Sequence, residues 1–218
     1  MFPNVRWDVM WSATGETVYM AFISALFVFF FGCLIGLALF LSSPGQLLEN
    51  KPFNKVLSGL VNIFRSIPFI ILIVLLIPLT RILVGSMFGP NAALPALIIG
   101  ASPFYGRLVE IALREIDKGV IEAATAMGAS LPTIIWKVLI PESLPALVSG
   151  ITVTTISLVS FTAMAGVIGA GGLGNLAFLE GFQRNRSDVT LVSTIIILII
   201  VFIVQQAGDL AIKKIDKR

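Results

Sequence analysis

The sequence contains no histidine and one cysteine, Cys33, in its 218 residues. A disulfide within one chain needs two cysteines, and a histidine-based metal or general-base site needs side chains that are missing here. The chain also has no GxxxxGK[ST] run and no Gly-Lys dipeptide, so it lacks the loop that binds nucleotide phosphates in an ATPase. These absences predict a protein with no metal, no cofactor and no ATPase centre of its own, in which Cys33 is a small packing residue.

Charged residues are also scarce, at 12% of the chain, whereas 57% of the residues are hydrophobic and the mean hydropathy is +0.99. A water-soluble domain of this size could not solvate so much apolar surface, which leaves a polytopic membrane protein as the class. The first 16 residues mix acids, tryptophans and a proline without a basic region or a small-residue cleavage site. We therefore expect them to belong to the mature protein and not to a signal peptide.

Five apolar stretches are long enough to cross a bilayer, which takes about 20 residues at 1.5 Å rise per residue. They lie at about 17–41, 56–79, 91–113, 143–165 and 189–212. The second stretch is interrupted by Arg65 and Pro68, and the third contains Pro95 and Pro103. Membrane helices tolerate such breaks where neighbouring helices satisfy the freed backbone groups. We predict an all-α bundle of five transmembrane helices that forms a single domain over residues 1–218 and contacts membrane lipid.

The basic residues are divided unequally between the two ends of this bundle. The end with the first loop, the 107–142 connection and the C-terminus carries ten of them, including all seven lysines, and the other end carries four. Because basic loops stay inside, this division predicts a cytoplasmic C-terminus and an N-terminus outside the cell. The net charge of +3 therefore indicates topology, and we expect no nucleic-acid partner.

The connection at 107–142, whose loop lies at about 114–142, is the longest polar segment of the chain. Asp117 is a suitable helix N-cap, the following VIEAATAM is strong helix-forming sequence, and Gly128 is a natural helix stop. These signals predict a helix of about ten residues.

A second helix should follow directly, because Ser130 and Pro132 are typical of a helix start, and we expect Pro141 to close it. Two interpretations of the pair are open from the residues alone. Either the two helices protrude and contact a cytoplasmic partner, or they form an ordinary helical hairpin lying on the membrane surface.

The same segment resembles a known signature. Glu122-Ala123-Ala124 is followed after three residues by Gly128 and after nine more by Val138-Leu139-Ile140-Pro141. The spacing is similar to the EAA-x3-G-x9-I-x-L-P signature of permease subunits of bacterial ATP-binding-cassette importers, with conservative departures at two hydrophobic positions. In that family the loop forms coupling helices that dock into a groove on the ATPase subunit. The resemblance implies these coupling residues: Glu122, Ala123, Ala124, Met127, Gly128 and Pro141.

Three further stretches, at 62–78, 100–110 and 161–174, resemble the methionine-uptake branch of these permeases. The resemblance implies a permease subunit for methionine in the bacterial inner membrane, with ATP hydrolysis on a partner. It also implies a homodimer with two ATPase subunits and an extracytoplasmic substrate-binding protein. An importer for another small solute, such as glycine betaine or another amino acid, is the alternative. An intramembrane enzyme or an ion channel is disfavoured, because the span cores are uncharged apart from Arg65 and no filter-like loop occurs.

The fourth span ends in GVIGAGGLG, residues 166–174, with five glycines in nine positions. A regular helix is hard to sustain there, so the run is either a hinge or pathway lining, or a site of tight small-residue packing. The two large apolar side chains just before it either plug the pathway or pack ordinarily. The candidates for pathway or gate are Phe161, Met164, Gly169, Gly171 and Gly172.

Arg65 lies about ten residues into the second span, where a charge is costly unless it is paired or reaches water. We expect a structural tie, to backbone carbonyls freed by Pro68 or to an acid such as Glu110, in preference to a substrate contact. The segment at 175–185 alternates apolar and polar positions. It is predicted to be a short interfacial helix on the outer face, where a binding protein would dock.

Overall fold

The computed structural model describes residues 2–215, and within that range the regular elements are all helical. The first, α1 (Trp7–Ser42), has 36 residues and begins ten residues before the predicted span. A helix of that length is roughly 54 Å long, well beyond the ~30 Å apolar thickness of a bilayer. Its N-terminal turns therefore extend outside the apolar layer. The helix ends where the Ser43 N–H donates to the Phe40 carbonyl at 3.1 Å.

The second predicted span is not one continuous helix. Helix α2 (Lys51–Ser66) and helix α3 (Phe69–Leu75) are bent by 105° relative to each other. Pro68 causes the break, because it has no N–H to donate and it holds Ile67 in an extended conformation with φ −77° and ψ 123°. Helix α4 (Ile77–Val84) follows. Four other helical stretches are long and apolar enough to cross a membrane, and the bent pair brings the number to five.

Helix α5 (Pro90–Arg114) lies at the centre of the bundle and packs along α1. Their close approach depends on glycine, since a Cβ on Gly106 would lie 2.7 Å from the Ile35 side chain and one on Gly32 would lie 2.5 Å from Tyr105. Tyr105 is fully buried, and its hydroxyl donates to the Leu147 carbonyl at 3.2 Å. The main hydrophobic core therefore forms between α1, α5 and the fourth span.

The fourth span is a helical stretch over Leu131–Ala170, 40 residues, with a kink near its end where Ile168 and Gly169 have non-helical backbone angles. It consists of α7 (Leu131–Ile134), a π-helical turn (Ile135–Leu139), α8 (Ile140–Ala165) and a second π-helical turn (Gly166–Ala170). The expectation that Pro141 closes the second loop helix was therefore wrong. The π turn changes the hydrogen-bond register directly before Pro141, so the helix continues past the missing N–H of this proline.

The chain then breaks and becomes helical again over α9 (Gly172–Asn175) and a π-helical segment (Leu176–Gln183). This is the short helix predicted at 175–185, and it begins three residues earlier. The last helix, α10 (Ser187–Ile215), crosses back along the bundle and packs on α8.

Candidate functional site

The short helix α6 (Lys118–Ala126) has the local structure that its sequence predicts. The Asp117 carboxylate accepts the Gly119 N–H at 2.7 Å and caps the start of the helix. Gly128 has a φ of +75°, and its N–H donates to the Thr125 carbonyl at 2.9 Å. This left-handed residue turns the chain out of the helix. The cap and the stop are therefore confirmed, with nine helical residues between them.

Helix α6 has one buried face and one exposed face. Ile121 and Ala124 are buried in the main hydrophobic core, whereas Glu122 and Ala123 point outward. Met127, at the end of the helix, is 81% exposed. We call the exposed part of residues 122–128 the loop-helix surface. A free-standing Met of this kind is a flexible apolar contact for a partner surface.

The first loop of the chain lies beside α6 and was not predicted to take part. Residues of that loop and of α6 line a groove of about 470 Å³; they include Gly45, Gln46, Leu47, Lys118, Ile121, Glu122 and Thr125. The Gly45 N–H donates to the Glu49 carboxylate at 2.8 Å, and Lys51 lies 3.4 Å from that carboxylate. Both contacts hold the pKa of Glu49 below its usual value, the Gly45 hydrogen bond most strongly. The SSPG turn at 42–45 is the sequence signal for this ordered loop.

Two arginines hold the buried carboxylate of Glu110 near the end of α5. The Arg107 guanidinium lies 2.5 Å from one carboxylate oxygen, and the Arg114 guanidinium donates to the other at 2.8 and 3.0 Å. Glu110 is only 3% exposed. The expectation that Glu110 pairs with Arg65 was wrong, because residues three and four positions away on the same helix already satisfy both of its oxygens.

Arg65 is exposed, and its guanidinium carbon lies 5.9 Å from the centre of the Phe104 ring. Within residues 2–215 it makes no ion pair or side-chain hydrogen bond, including any to the carbonyls near Pro68. Neither of the expected structural ties is formed.

The glycine run after α8 contains a backbone break. Gly169, Gly171 and Gly172 have φ values of +101°, +84° and +77°, which other residues rarely adopt. The Gly169 carbonyl accepts the Gly89 N–H at 2.9 Å, which ties the break to the start of α5.

Helix α1 holds the chain where it becomes helical again. The Glu16 carboxylate accepts the Gly172 N–H at 2.7 Å, and the Thr17 hydroxyl accepts the Leu173 N–H at 2.9 Å. The glycines of the run are also closely packed. A Cβ on Gly166 would lie 2.5 Å from the Asn175 backbone nitrogen, and one on Gly172 would lie 2.7 Å from the Thr17 hydroxyl.

The two candidate gate side chains have different environments. The Phe161 ring stacks on Phe69 of α3, with centres 4.5 Å apart and planes at 10°, so it joins the fourth span to the broken second span. Met164 is 43% exposed. No sequence pattern pairs Phe69 with Phe161, because the bend at Pro68 creates the contact.

These features define a polytopic helical membrane protein with a broken second span and one capped, outward-facing helix; within residues 2–215 no group of side chains is suited to a metal ion. The chain belongs to the family of binding-protein-dependent transport system inner membrane components, which matches residues 29–218.

Two relatives and one solved structure place the chain within this family, and a second solved structure shares its fold. It is 64% identical over 217 residues to the methionine import system permease protein MetP of Bacillus subtilis, covering 100% of this chain and 98% of that protein. It is 45% identical to the probable D-methionine transport system permease protein MetI of Pasteurella multocida, covering all of both chains.

A chain in the inward-facing structure of the MetNI methionine ABC transporter matches with a TM-score of 0.94 and 42% identity, over 96% of this chain and 97% of that one. An amino acid ABC transporter matches with a TM-score of 0.76 at 19% identity, over 95% of this chain and 94% of that one, which shows a shared fold.

Proposed function

We propose that the chain is the permease subunit of an ATP-driven importer for methionine. The observation that carries this function is the 64% identity, over the full length of the chain, to a methionine import permease. The match to a chain of the MetNI methionine ABC transporter supports it. No observation favours glycine betaine or another amino acid as the substrate.

The energy for transport comes from separate subunits. The sequence has no phosphate-binding loop, so ATP is hydrolysed by two ATPase subunits. A binding protein outside the cytoplasm delivers the substrate, as the description of the family indicates. Five spans of one chain are too few to enclose a wide pathway, and two-fold pairing is the commonest closure, so the permease is a homodimer.

The loop-helix surface docks on the ATPase. Glu122, Ala123 and Met127 are free to contact a partner, while Ala124 anchors α6 to the core. Behind the surface, the helical stretch that starts at Leu131 continues through Pro141 as far as Val167, where the non-helical residues of the glycine break begin. A continuous helix of that length carries a displacement at the loop-helix surface across the membrane.

The C-terminus lies in the cytoplasm and the N-terminus lies outside. The ten-to-four division of basic residues supports this orientation. The first loop and α6 line one groove, so they lie at the same end of the bundle. Asn4 contacts the Asp188 carboxylate, which joins the N-terminal segment to the start of α10 at the opposite end.

The glycine break and the side chains before it close the pathway. Gly169, Gly171 and Gly172 provide a point where the outer end of the fourth span bends. Met164 is exposed next to that point, and Phe161 couples it to α3. A movement of the fourth span therefore displaces the two apolar side chains that close the pathway, Phe161 and Met164, together with the broken second span.

Reconstitution tests the function. The permease, the ATPase and the binding protein are placed in liposomes, and ATP-dependent uptake of methionine is compared with uptake of other amino acids and of glycine betaine. We expect methionine uptake to exceed the others by at least ten-fold. Preferred uptake of glycine betaine would show that the substrate assignment is wrong, and uptake without the ATPase would show that the class is wrong.

A further inference from the structure

Helix α2 has two exposed flanks of opposite character. At 100° per residue, one side of the helix carries only apolar side chains and the other only polar ones. The exposed apolar flank consists of Val56, Leu60 and Ile63. The polar flank consists of Lys55, Ser58, Asn62 and Arg65, of which all but Ser58 are exposed. Lipid solvates the first flank and cannot solvate the second.

The polar flank reaches the middle of the bundle. At its start, Asn54 donates to the Leu39 carbonyl at the end of α1 at 2.8 Å. Further along, Phe64 shares an apolar groove with Ile98 of α5. The Arg65 guanidinium lies over Phe104, which is ten residues, or roughly 15 Å, from the C-terminal end of α5. Arg65 therefore lies beside the middle of α5, a helix long and apolar enough to cross a membrane.

A cation at that depth faces a water-filled cavity or a partner group, because hydrocarbon cannot solvate it. Within residues 2–215 Arg65 has no acidic partner, and Glu110, the acid that the sequence suggested, is already paired. A polar, exposed flank of this kind suits the wall of a water-filled cavity, where the guanidinium would be free to bind an anion.

We propose that Arg65 is a substrate-binding residue of the pathway and takes the α-carboxylate of the transported amino acid. A guanidinium binds a carboxylate through two parallel hydrogen bonds. Phe104 beside it offers an aromatic surface, which favours a thioether. Pro68 has no N–H, so the Phe64 carbonyl at the C-terminal end of α2 lacks its helical donor and is available to the substrate ammonium group. The site thus fits an apolar amino-acid zwitterion.

The test uses the complete reconstituted complex and rests on the function proposed above. Uptake of methionine and hydrolysis of ATP are measured in the same vesicles for the wild type, Arg65→Gln, Arg65→Lys and the control Arg81→Gln, an exposed arginine of α4. We expect Arg65→Gln to lower uptake about ten-fold or more and ATP hydrolysis much less, so that the ATP used per methionine rises. Arg65→Lys keeps the positive charge but lacks the paired N–H donors of the guanidinium, so it should retain part of the uptake. Arg81→Gln should match the wild type.

Each other outcome contradicts a specific claim. Unchanged uptake by Arg65→Gln, or a parallel loss of uptake, ATP hydrolysis and complex yield, would overturn the binding role of Arg65. If the wild-type complex imports a different amino acid, the methionine assignment fails, and the same comparison on that amino acid still tests Arg65, because the carboxylate is common to all of them. If it imports no amino acid, both claims are wrong.

Discussion

Gly128 has the strictest backbone requirement in the loop-helix surface. Its φ of +75° is costly for any residue with a Cβ, by about 1–2 kcal/mol and more for a β-branched one. We predict that Gly128→Val inserts normally but loses substrate-stimulated ATP hydrolysis, because the chain leaves α6 in a different direction. Gly15→Val is the matched control, since Gly15 is helical and a Cβ there meets nothing within 4 Å. Equal ATPase stimulation in the two variants would contradict the prediction.

Glu122 is the charged residue of the loop-helix surface. Reversing it with Glu122→Lys should weaken the complex with the ATPase, because the groove on the partner then faces a charge of the wrong sign. The loss should shrink as salt rises from low to physiological concentration, where the screening length falls to about 8 Å. The control Glu115→Lys reverses the charge of an exposed residue at the end of α5, and it should weaken the complex less. Copurification of the complex at two salt concentrations measures this, and a salt-independent loss would indicate misfolding.

Local chemistry explains which residues the sequence predicted correctly. Asp117 and Gly128 act through their own backbone neighbours, so a short stretch of sequence is enough to assign them. The partner of Arg65 depends on which carboxylates remain free after Glu110 has paired within its own helix. Which arginine pairs with the Glu110 carboxylate is decided by side-chain geometry, and the spacing of residues in the sequence does not predict it.

Among the elements, the helix that begins at Gly172 depends on α1 for its cap. Removing the acceptor with Glu16→Ala should cost about 1 kcal/mol and lower the unfolding temperature of the solubilised protein by about 2–4 °C. Glu16→Gln keeps an oxygen that accepts the Gly172 N–H and should lose less. Thermal unfolding of both variants in detergent measures the difference, and equal stability would show that the contact at 2.7 Å contributes little.

Element boundaries were predictable where they depend on caps and apolar length, as for α5 (Pro90–Arg114), which agrees with the predicted 91–113 stretch to within one residue. They were not predictable where tertiary packing decides. Pro68 breaks the second span, but the 105° angle goes together with the packing of α3 on α5 and α8, which the sequence does not report. The helix continues through Pro141 because the π turn shifts the register of the helical hydrogen bonds at the missing N–H. The presence of a proline alone does not predict that shift.

At the scale of the whole molecule, transport should depend on the binding protein. The cores of the spans are almost uncharged, and few polar groups are available to select an amino acid. We predict that the permease and ATPase alone take up methionine slowly and with little selectivity, and that the binding protein raises both rate and selectivity. Equal selectivity without it, measured by competition between amino acids in liposomes, would contradict this.

The central claim is that the loop-helix surface, residues 122–128, docks on the ATPase subunit. One cross-linking measurement tests this claim most directly. Replacing the single cysteine, Cys33, by serine gives a background in which one new thiol can be placed. Met127→Cys and Phe182→Cys are compared, since these side chains are 81% and 73% exposed and belong to opposite ends of the proposed topology. We predict that Cys at 127 cross-links to the ATPase subunit and that Cys at 182 does not. Cross-linking to the ATPase from position 182, or from neither position in an intact complex, would contradict the account.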